Sequence, residues 1–315
     1  MRAVRFHEWG SAPQVDLVAA PVAAPGETLV RVEAAAVAHL DLTVASGDFG
    51  IKPALPYVAG VEGSGVVVRS DELAAGTRVL LRGGGLGLLR DGTWAEYVTA
   101  GPKAMRTVPD GMAPELAATW YVPATTAHVA LHTVAHLAED EVVVVAGAAG
   151  AVGSLATQLA LQAGASVVGL VAAESQRELV PAGAEAVVAS DEDRLAELAA
   201  TRSATLLVDT IGGEAMPERC RWVRAGGRAA LIGYVAGTSA VLDLPNWLLD
   251  DVALLPVNMI RRDAEARACA PELAERLTRG ELRLEVEQFG FEQVGEAIAA
   301  LAGGRLRGRA VLVPA

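Results

Sequence analysis

Beyond residue 140 the chain alternates between short, unbroken apolar runs and longer stretches whose apolar residues recur with helical spacing. The runs at 141–146, 166–171, 186–189, 204–209 and 227–233 predict strands, with a further one at 252–258. The stretches at 152–163, 175–181, 194–201 and 214–222 predict the helices between them. These strands are apolar at successive rather than alternate positions, as a parallel sheet covered on both faces requires. Strand and helix alternating over this length is the signature of a doubly wound, Rossmann-type α/β domain with a parallel sheet.

The first hundred residues have a different texture. Short strands at 28–34, 64–68, 78–81 and 95–98 are separated by Pro25-Gly26, Gly60, Gly76 and the glycines at 83–85, which predicts a barrel-like β domain. A helical pattern runs over 115–138, interrupted around Pro123. After Arg261 come a helix at 264–279, a segment at 282–291, a helix at 294–302 and a last strand at 309–313. That tail resembles the opening texture, so the expected organisation is a first domain at 1–118, a Rossmann domain at 119–262, and a return to the first domain at 263–315.

Composition narrows the class. The chain has 315 residues and a formal net charge of -12, which argues against a nucleic-acid or anionic-membrane partner. Anionic cofactors remain admissible, because helix N-termini and placed arginines act locally. Two cysteines, Cys220 and Cys269, are too few for a disulfide framework and suit a reducing cytoplasm. The first residues alternate like a strand and lack the apolar core of a signal peptide. The apolar stretch 142–156 is broken by Gly147, Gly150 and Gly153 and falls short of the ~20 residues of a membrane helix, so no span is expected.

The strongest local motif is Val142-Val143-Val144-Val145-Ala146-Gly147-Ala148-Ala149-Gly150-Ala151-Val152-Gly153. It reads as an apolar strand, a Gly-x-x-Gly-x-x-Gly turn and the start of an apolar helix. Glycines there let the backbone turn tightly and let a pyrophosphate approach free N–H groups at a helix N-terminus. Alone the pattern also suits glycine packing; between a strand and a helix that open a run of βα units it points to a dinucleotide. Gly147, Gly150, Ala151, Val152 and Gly153 are therefore the expected cofactor cradle. About twenty residues on, where a carboxylate would hold a ribose 2′-hydroxyl, the chain has Val171 and Ala172. Arg177 follows, so NADPH is expected over NADH. Gly233 and Tyr234, after the fifth strand, are expected at the carboxyl edge where the cofactor binds.

With these pieces in place, nearly the whole chain resembles the medium-chain dehydrogenase/reductase superfamily, in its zinc-free, quinone oxidoreductase-like branch. The resemblance rests on Met1 through Gly10, Val37-Ala38-His39-Leu40-Asp41 followed by Ser46-Gly47, Pro56 through Gly65, and Gly92-Thr93-Trp94-Ala95-Glu96-Tyr97-Val98. The 147–153 turn and Val208-Asp209-Thr210-Ile211-Gly212-Gly213 complete the set, in order. It implies a GroES-like β domain with a Rossmann domain inserted, an active-site cleft between them, hydride transfer with NAD(P)H, and a homodimer paired edge to edge along 252–258. It also implies that Thr126 sits by the nicotinamide and that Asp41 and Glu62 match the family's acidic pair.

The departures are informative. Zinc-binding members carry a cysteine and a histidine where this chain has Ala38 or His39, and Val61, and the four clustered cysteines of a structural zinc are missing from 82–96. His128, His132 and His136 recur every four residues without a carboxylate or cysteine at matching spacing. No zinc is expected. The branch's usual asparagine, arginine and tyrosine are replaced by Ala38, Ala45 and Phe49; Ser190 and Gln176 stand where a tyrosine and a lysine would approach the adenosine phosphates.

Hydride transfer needs no protein nucleophile; the protein orients the reactants and stabilises a developing oxyanion. His39, Asp41, Phe49 and Tyr57 are the candidate catalytic residues, with Thr126 and Tyr234 beside the cofactor. His39 is a product-protonating group or a ribose anchor, Asp41 a loop anchor or a base, and Tyr57 a reacting-site group or a plug. Three functions follow: reduction of a quinone or of an activated carbon–carbon double bond in a small molecule, reduction of an enoyl thioester with Arg261, Arg262 and Arg267 at the mouth, or non-catalytic NADPH binding.

Overall fold

The chain opens with strand β1 (Arg2–Phe6), paired antiparallel with β2 (Gln14–Leu17) and with the short β4 (Tyr57–Val58). Between them run β3 (Thr28–Val37) and helix α1 (His39–Ala45). β5 (Glu62–Arg69), β6 (Arg78–Arg82), β7 (Tyr97–Ala100), β8 (Met105–Thr107) and the single-turn α2 (Pro114–Ala117) follow. The computed structural model describes residues 1–47, 49–50 and 52–314. It divides into two units, Met1–Tyr121 with Glu285–Ala315, and Val122–Leu284.

In the second unit the order is α3 (Tyr121–His128, its first residue in the first unit), β9 (Val142–Ala146), α4 (Ala151–Gln162), β10 (Ser166–Val171), β11 (Glu185–Val188) and α5 (Glu192–Thr201). Then come β12 (Ala204–Asp209), α6 (Met216–Cys220), β13 (Val223–Leu231), α7 (Leu244–Asp250), β14 (Ala253–Pro256) and α8 (Asp263–Thr278). The chain returns to the first unit with β15 (Val286–Gly290), α9 (Val294–Ala302) and β16 (Arg309–Val313).

The first unit closes on its tail. Its larger sheet has the order β15-β16-β3-β5-β6-β8, with β7 paired to β3, so the last strand of the chain lies antiparallel to β3 through Ala310↔Val37 and Val311↔Ala36. Trp94 fills the core with its Nε1 donating to the Ala36 carbonyl at 2.8 Å, among Phe6, Leu81, Val98, Phe291 and Leu312. Burying that polar atom with a partner removes the desolvation cost a bare indole N–H would carry.

The second unit is a six-stranded parallel sheet in the order β11-β10-β9-β12-β13-β14. The first strand thus lies in the middle and the chain winds outward both ways, which puts the switch point between β9 and β12. Val143, Val144, Val145, Leu206, Leu207 and Val208 are fully buried, in keeping with strands covered on both faces.

Several elements differ from the pattern expected of the sequence. The helical texture of 115–138 resolves into α2, α3 and a π-helical stretch Val129–Val134. Pro123 does not interrupt it; the proline lies in the first turn of α3, where its missing N–H costs nothing. The stretch expected as a helix at 175–181 is a 3₁₀ segment, Glu174–Leu179, with no buried residue to hold a longer helix on the sheet. Residues 263–284, read from sequence as part of the return, stand in the second unit. Helix α8 buries Ala266, Ala270, Leu273, Ala274 and Leu277. Its C-terminal connection is tied to α4: Gln158 and Arg283 exchange hydrogen bonds of 2.8 Å, Gln162 Nε2 donates to Glu281 O at 2.9 Å, and Arg276 donates to Gln162 Oε1.

Candidate functional site

Strand β9 ends at Ala146, and the chain reverses at Gly147 with φ +83°, a conformation that glycine adopts without strain. A Cβ on Gly147 would press into Thr210 Oγ1 and Ile211 Cγ2, on the loop after β12. Gly153, one turn into α4, packs against the same turn so closely that a Cβ would overlap the Gly147 carbonyl. At Gly150, the residue preceding α4, a Cβ would meet only the Gly147 oxygen, at 3.3 Å. The turn is held by Gly147 and Ala148 N–H groups on the Leu170 carbonyl at 3.0 and 3.1 Å.

Helix α4 begins without a side-chain cap. Among the described residues, nothing accepts the N–H groups of Ala151, Val152 and Gly153, and no carboxylate lies in this first turn. Three aligned donors at the positive end of a twelve-residue helix make a cradle suited to an anionic group.

The loop after β12 flanks that cradle. Thr210 Oγ1 donates to the Ala146 carbonyl at 2.7 Å. The loop after β13 lies on its other side, with Ala236 N on the Ile211 carbonyl at 2.8 Å and Ile232 N on the Asp209 carbonyl at 2.9 Å. Gly233 approaches the Thr210 carbonyl too closely for any side chain, and Tyr234 is exposed beside it. Gly147, Gly150, Ala151, Val152, Gly153, Gly233 and Tyr234 are therefore gathered at the carboxyl ends of β9, β12 and β13. Ala172 stands at the end of β10, its N–H on Gln176 Oε1 at 3.0 Å. Arg177 lies a turn later, donating to Glu174 at 2.7 Å and to the Ala186 carbonyl at 2.7 Å. Thr126 is buried in α3.

Sequence reasoning missed one pair here. Asp209, the last residue of β12, is 1 % exposed and binds Arg219 of α6, 6 % exposed, through Nε at 3.0 Å and Nη2 at 2.8 Å. The legible signal was a carboxylate ending an otherwise apolar strand.

In the first unit, Asp41 sits in the first turn of α1 and is 1 % exposed. Its Oδ2 accepts Ala38 N at 2.8 Å, and its Oδ1 accepts Gly60 N at 3.1 Å and Val61 N at 3.0 Å. The carboxyl thus ties the start of α1 to the loop before β5. Burial pushes it up to about 7, against the pull of those N–H donors and with the help of the nearby Glu62 charge. This is the geometry of an anchor rather than of a base facing solvent.

Glu62 is held between Arg82 Nε at 2.9 Å and Arg309 Nη2 at 3.0 Å. His39, at the N-terminus of α1, is exposed; partial desolvation and then the Arg309 charge hold the imidazole below its ordinary range. Tyr57 is 2 % exposed, its ring 5.6 Å from Phe6 and 5.7 Å from Trp9, so it packs in the core of this unit. Its hydroxyl has no hydrogen-bond partner among the described residues, and burial raises its pKa. Phe49 packs, half-buried, on the same core.

Two family descriptions match the chain in register with this architecture. The alcohol dehydrogenase GroES-like domain matches residues 24–110, and the zinc-binding dehydrogenase domain matches residues 151–276. The chain belongs to the medium-chain dehydrogenase/reductase superfamily. An alcohol dehydrogenase of Geobacillus stearothermophilus is 27% identical over 99% of this chain and 99% of its own. The quinone oxidoreductase of Pseudomonas syringae pv. Tomato DC3000 superposes with a TM-score of 0.86 at 23% identity, covering 99% of each chain. The Escherichia coli quinone oxidoreductase solved with NADPH superposes with a TM-score of 0.85 at 19% identity over 100% of both chains.

The matched description calls for a test of zinc in this medium-chain dehydrogenase/reductase. The donors do not suit it. Asp41 is committed to three backbone N–H groups and Glu62 to two guanidiniums. Among the described residues no three His, Cys, Asp or Glu side chains come together as a metal would need. His128 and His132 lie with ring centroids 4.6 Å apart, but His136 leaves the helix at φ +51°. A nicotinamide dinucleotide, by contrast, suits the cradle at α4. No helix among the described residues is long and apolar enough to cross a membrane.

Proposed function

We propose that this protein is a zinc-independent, NADPH-dependent oxidoreductase of the quinone oxidoreductase-like branch. It reduces a quinone, or the activated carbon–carbon double bond of an α,β-unsaturated carbonyl compound. The observation that carries the reading is the uncapped N-terminus of α4 behind Gly147 and Gly150, with three N–H groups free for a diphosphate. The bound dinucleotide supplies the hydride. Ala151, Val152 and Gly153 hold its diphosphate, Ala172 and Arg177 take its adenosine end, and Thr126, Gly233 and Tyr234 border its nicotinamide.

On the substrate side, hydride addition leaves negative charge on an enolate or phenolate oxygen. His39 is the candidate donor to that oxygen. Its lowered pKa favours the neutral imidazole, which stabilises by a hydrogen bond while water supplies the proton. Asp41 positions it by fixing the first turn of α1, and Phe49 and Tyr57 supply apolar backing. Two of the three arginines that an enoyl-thioester substrate would call on are ion-paired, Arg262 with Glu265 at 2.9 Å and Arg267 with Asp263 at 2.6 Å.

The protein is further proposed to act in the cytoplasm as a homodimer. Strand β14 is one of the two edges of the parallel sheet, and Val241, Leu244, Leu248 and Leu249 stand exposed before it. NADPH oxidation with a panel of quinones, enones and enoyl thioesters, by protein dialysed against a chelator, tests the activity. Turnover with the quinones or enones is expected to survive chelation. Loss of activity restored by zinc would overturn the zinc-free reading, turnover confined to enoyl thioesters would reassign the substrate, and silence with intact NADPH binding would leave a non-catalytic dinucleotide protein.

A further inference from the structure

Asp209 and Arg219 form a buried ion pair in which each carboxylate oxygen accepts two hydrogen bonds. Asp209 Oδ1 accepts Ile211 N at 3.0 Å and Gly212 N at 2.8 Å, while Oδ2 accepts Arg219 Nε and Nη2. Arg219 Nη2 also donates to the Gly212 carbonyl at 2.6 Å. Gly212 is thus gripped at both ends, its N–H by the carboxylate and its C=O by the guanidinium. It stands at φ +63°, with Gly233 O 2.5 Å and Tyr234 Cα 2.9 Å from where a Cβ would lie. The neighbouring Thr210 and Ile211 abut the Gly147 turn. A buried ion pair adds little net stability compared with an apolar pair of the same shape. What this one supplies is the register of a single residue wedged beside the turns after β9 and β13.

We infer that Arg219 and Asp209 are positioning residues that set the half of the dinucleotide site beyond the switch point, on the β12–β13 side. This rests on the dinucleotide reading above. In a doubly wound sheet the adenosine lies over the first βα half, here β9 and β10, and the second nucleotide lies over the other half. Loosening Gly212 therefore weakens the nicotinamide end and leaves the adenosine end held by α4 and the end of β10.

The experiment compares calorimetric affinities for NADPH and for adenosine 2′,5′-bisphosphate, which lacks the nicotinamide half. Arg219→Met strands a buried carboxylate and threatens folding, so the charge-free double variant Asp209→Asn with Arg219→Met carries the test. Its NADPH Kd is expected to rise about tenfold or more while the Kd of the adenosine fragment stays within about twofold. Arg219→Lys, which keeps the charge but reaches only one of the two partners, is expected to fall between. Equal weakening of both ligands would reduce the pair to general stability, and two unchanged ligands would show that Gly212 needs no such grip; either overturns the inference. Failure of the wild-type protein to bind either ligand would instead sink the dinucleotide reading itself.

Discussion

Arg177 and Glu174 face each other across one turn after β10, with Nε 2.7 Å from Oε1 and Nη2 3.2 Å from Oε2. The cation that a ribose 2′-phosphate would use is therefore already matched by a carboxylate, in an exposed pair that solvent weakens. A doubly charged phosphate can displace Glu174, but it gains only the difference between the two partners. The expected preference for NADPH over NADH is accordingly modest. Arg177→Ala should lower NADPH affinity by roughly three- to tenfold and leave NADH unchanged, whereas Glu174→Gln should raise NADPH affinity. Paired dissociation constants for the two cofactors check this; equal effects on both would show that Arg177 does not meet the 2′-phosphate.

The two later glycines of the turn are expected to fail in different ways. Gly153→Ala forces its methyl into the Gly147 carbonyl, so it should cost about 1–3 kcal/mol of stability by overpacking, with cofactor binding lost alongside. Gly150 has φ -75° and its added methyl would meet only the Gly147 oxygen, at 3.3 Å, so Gly150→Ala should lower the melting temperature far less than Gly153→Ala and still weaken cofactor binding by obstructing the diphosphate. Thermal melts with and without NADPH separate the two cases. An undiminished NADPH-induced rise in Tm for Gly150→Ala would remove that glycine from the cradle.

Asp41 should leave a signature in the pH dependence of stability. Its folded-state pKa of about 7 lies above the ordinary aspartate value of 3.8, so between these values the folded protein holds a proton that the unfolded chain has lost. That contribution is fully present below the unfolded value and is lost as pH rises toward 7. Asp41→Asn removes the titration and sacrifices one of the backbone hydrogen bonds at the start of α1, worth about 1 kcal/mol. Denaturant midpoints across this range should therefore fall more steeply with pH for the wild type than for the variant. Parallel curves would mean that the carboxylate stays ionised, satisfied by its three N–H donors.

The edge strand β14 makes a prediction about assembly. Leu248 and Leu249 of α7 are exposed, so replacing both with glutamate leaves the chain's own packing untouched. Light scattering on the wild type is expected to give twice the chain mass, and the Leu248→Glu, Leu249→Glu variant should shift toward a single chain with an unchanged circular dichroism spectrum. A wild-type protein that runs as one chain would refute the dimer.

Much of this was legible in the residues. Strands Ser166–Val171, Ala204–Asp209 and Arg309–Val313 and helix Val294–Ala302 begin and end where the apolar pattern places them, because continuous burial or a one-sided apolar face leaves its period in the chain. The glycine spacing after β9 was equally readable, since each glycine answers a local demand of the turn. Less legible were segments whose state depends on neighbours. The 3₁₀ segment after β10 has helical composition but nothing to pack against, and α8 has an ordinary amphipathic pattern that does not say which unit it will cover.

By itself, then, the sequence determined the doubly wound sheet, the β-rich first unit closed by the chain's tail and the glycine turn, all of which follow from local period and residue type. Only the tertiary structure decided that Asp41 would be spent on three backbone N–H groups, that Tyr57 would be buried between Phe6 and Trp9, and that Arg219 rather than Arg221 or Arg224 would meet Asp209. These outcomes turn on which groups share a small, dry volume. Desolvation and pairing there depend on distances that no spacing along the chain records.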